Sequence, residues 1–248
     1  MKDVISRATK NKKVKIMKNL MISFLLGIGL SCISVQAEEA SVPEFAAIFQ
    51  LSTSDQASVA AAFTTFAASD CRKEMPTAIR IMRETFNGTE DISHSIIWNF
   101  ADTEALTKTF ASFQCREWAD VAAVLSQQAE FKSQQLVRTL ATGGDYTKDS
   151  AYIVWQMAIS DEAAYVDAYN DLMKSQTKNG LINGAYGLWR VQGGANNEVT
   201  HIAFAGADSL ATLLSNSNPS KAFVAFQRKV AGIRTVHRQN INAVLADL

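Results

Sequence analysis

Histidine is scarce in this chain, with three among 248 residues, and two of the three recur in one pattern. His94 follows Arg83 across Asn87-Gly88, and His201 follows Arg190 at the same spacing across Gly193-Gly194-Ala195-Asn196-Asn197. Turn residues between apolar, β-branched runs signal a hairpin. Symmetric pairing about each turn then sets Arg83 opposite His94 and Arg190 opposite His201. Alternation puts Ile79, Ile81, Ile96 and Trp98 on the first of these faces, and Leu188 and Ala203 on the second. A guanidinium beside an imidazole on an apolar face could grip an anionic or carbonyl-bearing organic molecule, or the imidazole could shuttle a proton. The same residues also read as solvated hairpin ends copied by duplication, or as ligands to a metal or haem. No His-x-His or Cys-His cluster supports a closed metal site, so none is assigned.

Gln50 and Gln156 are lone polar residues in the apolar runs Phe45 to Leu51 and Tyr152 to Ile159, each pointing to solvent or hydrogen-bonding inside. Trp98, Trp155 and Trp189 lie on expected strands, where they pack the sheet or form a ligand platform. Trp118 reads as helical core. His237 has no counterpart in the repeat and reads as structural. No Gly-x-Ser-x-Gly turn is present for a nucleophilic serine. Gly143-Gly144 and Gly193-Gly194 lack the Lys-Ser/Thr continuation of a phosphate loop. No cofactor is therefore expected from a motif.

The elements that must position these residues come in one order, written twice. The run Phe45 to Leu51 reads as a strand, and Ser54-Asp55 caps a helix with apolar residues at Val59, Ala62, Phe63 and Phe66. Thr77 to Thr85 and Ile92 to Phe100 form the hairpin. Helical segments from Asp102 break near Phe113, and an extended piece runs from Phe131 to Thr139. After residues 143–150, which have linker composition, the order repeats. Tyr152 to Ile159 is followed by a helix ending at Asn179-Gly180, a hairpin of Ala185 to Gln192 with Val199 to Phe204, helices broken at Asn218-Pro219, and a stretch near Ile233 to Val244. Overlaid, Gln50 matches Gln156, Asp55 matches Asp161, Arg83 matches Arg190 and His94 matches His201, as a duplication would give. The expected fold is α+β: tandem β-α-β-β-α-β repeats over 38–142 and 151–248, each with both helices on one sheet face, so that two antiparallel sheets bury their open faces against each other. Two independent beads on a linker are the alternative.

This order of elements resembles the dimeric α+β barrel superfamily, ferredoxin-like units that pair across their sheets, with both units fused in one chain over about residues 45 to 245. The resemblance implies a cavity between the sheets. Relatives include cofactor-independent monooxygenases of the antibiotic-biosynthesis type and haem-degrading enzymes. No catalytic residue carries over, because no motif aligns residue by residue.

Residues 1–37 read as a secretory signal, with Lys10 to Lys18 before an apolar run from Leu20 to Val35 and Val35-Gln36-Ala37 at the cleavage position. Met17 is an alternative start, and Cys32 raises a lipoprotein alternative. The run is too short for a comfortable span, so no stable membrane anchor is expected. Seven of the 24 Lys and Arg but one of the 24 Asp and Glu lie in that segment. The remainder is near −6, with scattered bases that offer nucleic acid no footprint. In the periplasm or outside the cell, Cys71 and Cys115 would pair, closing a loop of about 45 residues, or would stay as buried thiols.

Two functions fit. One is an exported small-molecule-binding or oxygenase-like protein whose cavity takes a small apolar or anionic organic ligand, with Arg83, His94, Arg190 and His201 at its polar end and Gln50, Gln156 and Trp98 as further candidates; a haem-binding barrel is its variant. The other is a non-catalytic interaction protein, in which the sheets only join halves or copies. The expected state is a monomer with pseudo-dimeric halves, or a higher oligomer.

Overall fold

The computed structural model describes residues 42–194, 198–215 and 219–248. The expected signal segment, Cys32, residues 195–197 of the second turn and Asn218 lie outside the described residues. The first half comprises β1 (Phe45–Thr53), α1 (Gln56–Ala67), α2 (Asp70–Lys73), β2 (Thr77–Phe86), β3 (His94–Phe100), α3 (Thr103–Ser112), α4 (Arg116–Gln128) and β4 (Ala129–Gly143). The second comprises β5 (Ala151–Ile159), α5 (Glu162–Lys178), β6 (Tyr186–Gly193), β7 (His201–Ala207), α6 (Leu210–Ser215), α7 (Lys221–Val230) and β8 (Arg234–Asp247).

The duplicated residues start equivalent elements. The Asp55 carboxylate accepts from the Ser58 amide at 3.0 Å and Asp161 accepts from Ala164 at 3.1 Å, each satisfying a free N–H at a helix start. Both hairpins pair in the expected register, with Arg83 against His94 and Arg190 against His201. Even the irregularities repeat. A bulge follows Gln50 in the β1–β4 ladder, and another follows Gln156 in the β5–β8 ladder.

The eight strands close into one antiparallel barrel in the order β1-β3-β2-β8-β5-β7-β6-β4. Closure depends on the two long strands that end the halves. β4 pairs with β1 of its own half and β6 of the other, and β8 pairs with β5 and, across the halves, with β2. Outward-facing residues pack under the helices. Leu51, Ile79, Ile81, Ile96, Trp98 and Phe100 bury against Val59, Phe63 and Phe66 of α1 and Val121 and Leu125 of α4, while Met157, Leu188 and Ala203 bury against Tyr165, Tyr169, Phe226 and Val230. Inward-facing residues of both halves mix in the lumen, where Ala46 and Ile48 meet Trp189 and Ile202.

Cys71 in α2 and Cys115 at the start of α4 are joined by a disulfide. The segment expected as a linker is built into the barrel. β4 extends to Gly143, Tyr146–Lys148 form a 3-10 turn, and Asp149 is buried with its carboxylate accepting from the Ala185 amide at 2.9 Å. A Cβ at Gly184 or Gly206 would stand 2.1 or 2.2 Å from the Asp149 carboxylate oxygens, so glycine at both positions admits that side chain.

Because each half donates an edge strand to the other, an isolated half would expose two unpaired edges and its lumen face. Residues 38–144 and 145–248 expressed alone should aggregate or self-pair. Co-expressed, they should elute as a soluble one-to-one complex on size exclusion. Two separately monomeric, cooperatively melting halves would contradict the shared barrel.

Candidate functional site

The strand pleat sorts the sequence-derived candidates onto two faces. Arg83, His94, Arg190 and His201 lie on the helix-covered outer face, so they do not form the polar end of a cavity between the sheets. The reason is parity: Ile79, Ile81, Ile96 and Trp98 share that face, and those residues are core under α1 and α4. Trp98 belongs to this core, edge-on to Phe113 and Trp118 with ring centroids 5.1 and 5.4 Å away. His237 is on the exposed outer side, 3.9 Å from Glu198.

The two outer His sites have diverged. Glu162 at the start of α5 bridges Arg190 at 3.1 Å and His201 Nε2 at 2.9 Å, and Thr200 Oγ1 lies 2.7 Å from His201 Nδ1. The first half has Gln56 at the matching position. Its Oε1 accepts from Arg83 at 2.8 Å, while His94 Nδ1 contacts Ser93 Oγ at 2.8 Å. Burial lowers both imidazole pKa values; Arg83 adds to the effect at His94, and Glu162 opposes it at His201.

Gln50 and Gln156 point the other way, into the lumen, and Gln50 leads to a network that the sequence reading missed. Its Nε2 donates to Glu84 Oε1 at 2.7 Å, and its Oε1 accepts from Ser133 Oγ at 2.7 Å. The Glu84 carboxylate, fully buried, also accepts from Ser95 Oγ at 2.6 Å, from the Arg238 guanidinium, and from Asn240 Nδ2 at 3.4 Å. Asn240 donates in turn to Asn242 Oδ1 at 2.6 Å. Four donors, one of them the paired cation Arg238, offset the cost of burying this charge. Glu84 alternates with Ile79 and Ile81 along β2, and Arg238, Asn240 and Asn242 alternate along β8. An isolated sheet would turn such residues to solvent, and barrel closure buries them instead.

Arg80, four residues from Glu84 on the same face, marks the other end of the lumen, about 13 Å away along the strand. There the guanidinium meets Asp247 at 2.6 and 2.8 Å, donates to the Tyr146 carbonyl at 3.1 Å, and bonds the Tyr152 hydroxyl. Burial raises the pKa of Asp149 and of Tyr152 beside it. This end is a plug, its donors and acceptors engaged with one another.

The Glu84 end is not saturated. Gln135 Oε1, Asn240 Oδ1 and Arg238 Nε are buried and have no hydrogen-bond partner in the protein. Register carries the two amides into the lumen, since Gln135 pairs with Ile48 and Asn240 with Val154, both lumen residues. Between the ends the lumen is apolar, with Ile48, Ile97, Val154, Trp189, Ile202 and Phe204 packed in one cluster and the Trp189 and Phe204 rings 4.5 Å apart. Among the described residues, one group has metal-ligand proximity, Cys71, Cys115 and Glu117, and its two sulfurs are bonded to each other.

No protein-family model and no curated protein matches the chain. Solved structures do. A candidate monooxygenase from Lactobacillus acidophilus NCFM superposes with a TM-score of 0.58 at 8% identity, covering 82% of this chain and 94% of that one. A candidate monooxygenase from Fusobacterium nucleatum gives 0.58 at 13%, covering 84% and 94%. The chain has the dimeric α+β barrel fold. An anthrone oxidase-like protein shares it with a TM-score of 0.54 at 12% identity over 84% of this chain and 93% of that chain. So does a chlorite dismutase variant from Candidatus Nitrospira defluvii, at 0.52 and 8% over 82% and 91%. At such identities the likeness is one of fold, and this barrel's site is defined by its own side chains.

Two measurements test these assignments. Glu84→Leu orphans three neutral donors and leaves Arg238 without its partner, so it should cost about 3–5 kcal/mol in urea unfolding. Glu84→Gln, which keeps an acceptor, should cost clearly less. The second concerns pH. Both outer imidazoles are depressed when folded, so as pH falls below about 6.5 the unfolded chain takes up protons that the folded chain refuses, and stability drops. Asp149, raised by burial, acts in the opposite sense. The melting temperature should fall between about pH 7.5 and pH 5.5, and His94→Asn with His201→Asn should flatten that fall.

Proposed function

We propose that this protein binds a small organic molecule in the barrel lumen, with the Glu84 end as its polar contact and the Trp189–Phe204 wall as its apolar one. The observation that carries this is the trio of buried, unpartnered polar atoms on Gln135, Asn240 and Arg238. A protein rarely leaves such atoms without a partner, because each costs about 1–3 kcal/mol. An eight-stranded barrel has room for side chains or one small ligand. Oxygenase-like chemistry is the catalytic version of this reading, and it is supported by the shared fold with candidate monooxygenases and an anthrone oxidase-like protein.

The lumen offers a haem iron no histidine. The chain's three histidines all lie on the outer face, and His94 and His201 are each 4% exposed with their Nδ1 atoms engaged by hydroxyls. Export is part of the proposal, and it is supported by the basic and apolar run before Ala37 and by the Cys71–Cys115 disulfide. No described helix is long and apolar enough to cross a membrane. Protein purified from the exporting compartment of its own host, denatured and extracted, should release one dominant small molecule by mass spectrometry at near one-to-one stoichiometry. The mature chain should begin near Glu38. An empty extract, with a crystal structure showing the lumen closed by side chains and water alone, would instead favour the interaction-protein reading.

A further inference from the structure

The unpartnered atoms differ in kind, and their kinds describe the partner. Gln135 Oε1 and Asn240 Oδ1 are acceptors, whereas Arg238 Nε carries a hydrogen and is a donor. The amide of Asn240 cannot turn round to exchange roles. Its Nδ2 is committed to Glu84 Oε2 at 3.4 Å and to Asn242 Oδ1 at 2.6 Å, so its oxygen must face away from both.

The two acceptors oppose each other across the lumen. In the ring of eight strands β4 and β8 stand four apart, on opposite walls. Gln135 is set against Ile48 of β1 and Asn240 against Val154 of β5, at equivalent positions in the two repeats. Since β1 and β5 run in the same direction around an alternating antiparallel ring, the repeats are related by a twofold along the barrel axis. Equivalent residues therefore share a level. Gln135 and Asn240, 7% and 2% exposed, form two jaws at one height, with Arg238 on the same wall as Asn240.

Charge narrows the class further. Glu84 is ion-paired with Arg238, and the other buried charges, Arg80 with Asp247 and Asp149, lie at the far end, so the Glu84 end holds no unbalanced charge to attract an ion. A charged group placed there would be desolvated without a counter-ion. Resting on the lumen-binding reading above, we infer that the molecule bound is neutral and presents a carboxamide-type edge: two N–H donors to Gln135 and Asn240, beside a carbonyl accepting from Arg238 Nε. Its body is apolar and lies along the wall of Ile48, Ile97, Trp189 and Phe204. Primary amides have this donor and acceptor pattern, whereas a lactam has a single N–H. Carboxylates and simple ketones lack the pattern.

The test uses the intact protein, stripped of bound molecules by unfolding and refolding, and three probes of one shape. Benzamide carries the full edge, acetophenone replaces its NH2 with methyl, and benzoate replaces it with a charged oxygen. Titrated by calorimetry and by intrinsic tryptophan fluorescence, benzamide should bind at least about 10-fold more tightly than either analogue, as expected when a buried acceptor is left unpaired. The preference over acetophenone should shrink in Gln135→Met and in Asn240→Leu. The wild-type comparison stands even if those variants fold poorly. Acetophenone binding as tightly as benzamide would overturn the amide-edge inference and leave the lumen site intact. Benzoate binding most tightly would overturn the neutrality step. No probe binding, with a different molecule recovered by extraction, would also overturn this inference alone. No probe binding and an empty extract would remove both.

Discussion

The pairing of β2 with β8 and of β4 with β6 is the constraint from which the remaining structure follows. Each α+β half has one face covered by its own helices and one bare. Face-to-face packing of two separate sheets would hide the bare faces and still leave four open edges. Pairing of the long terminal strands across the halves removes the edges as well, and it forces the inner side chains of both halves into one closed space. Glu84 on β2 and Arg238 on β8 face each other because those two strands are neighbours. Their buried pair is thus a product of closure and also a bond across it.

Closure also explains which parts of the molecule were legible in the sequence. Local signals were strong. Hairpin symmetry about Asn87-Gly88 placed Arg83 against His94, the capping aspartates marked α1 and α5, and the repeated order gave the α+β fold. Those features depend on chain neighbours or on a single ladder. The direction in which each strand face points does not. The apolar parity of β2 and β3 is visible and suggests the cavity face, yet it serves the helix-covered core, and the opposite face lines the lumen. Arg80, Glu84, Arg238 and Asn240 look like ordinary surface residues until β8 is known to cross to β2. Only Gln50 and Gln156 hinted at an interior polar face, since they interrupt runs that are otherwise apolar.

The outer His sites show a different outcome of duplication. The hydroxyl-then-histidine pair occurs in both halves as Ser93-His94 and Thr200-His201, and each hydroxyl also accepts from a backbone amide, Thr53 or Ile159, at 3.0 Å. That shared contact anchors the first strand of the half to its hairpin, which is reason enough for the pair to persist. The difference lies on the helix, where Gln56 serves Arg83 alone and Glu162 serves Arg190 and His201 together. One glutamine-to-glutamate difference at a helix start thus separates a site where the arginine meets a neutral amide from one where a carboxylate serves arginine and histidine together, at a position where a carboxylate also suits the helix dipole.

At the charged positions inside the barrel the repeats differ, and the difference has an electrostatic advantage. The position equivalent to Glu84 in the second half is Val191, and that equivalent to Arg238 in the first half is Ser133. Had both copies kept the glutamate, two carboxylates would share one low-dielectric lumen and raise the cost of ionising either. Two arginines would repel in the same way. Two separate but identical chains meeting as a dimer would have to accept such a doubling or forgo buried charge. Fusion into one chain removes that restriction, allowing one half to contribute the anion and the other the cation. The result is one unsaturated polar end of the lumen, built from both repeats and symmetric in neither.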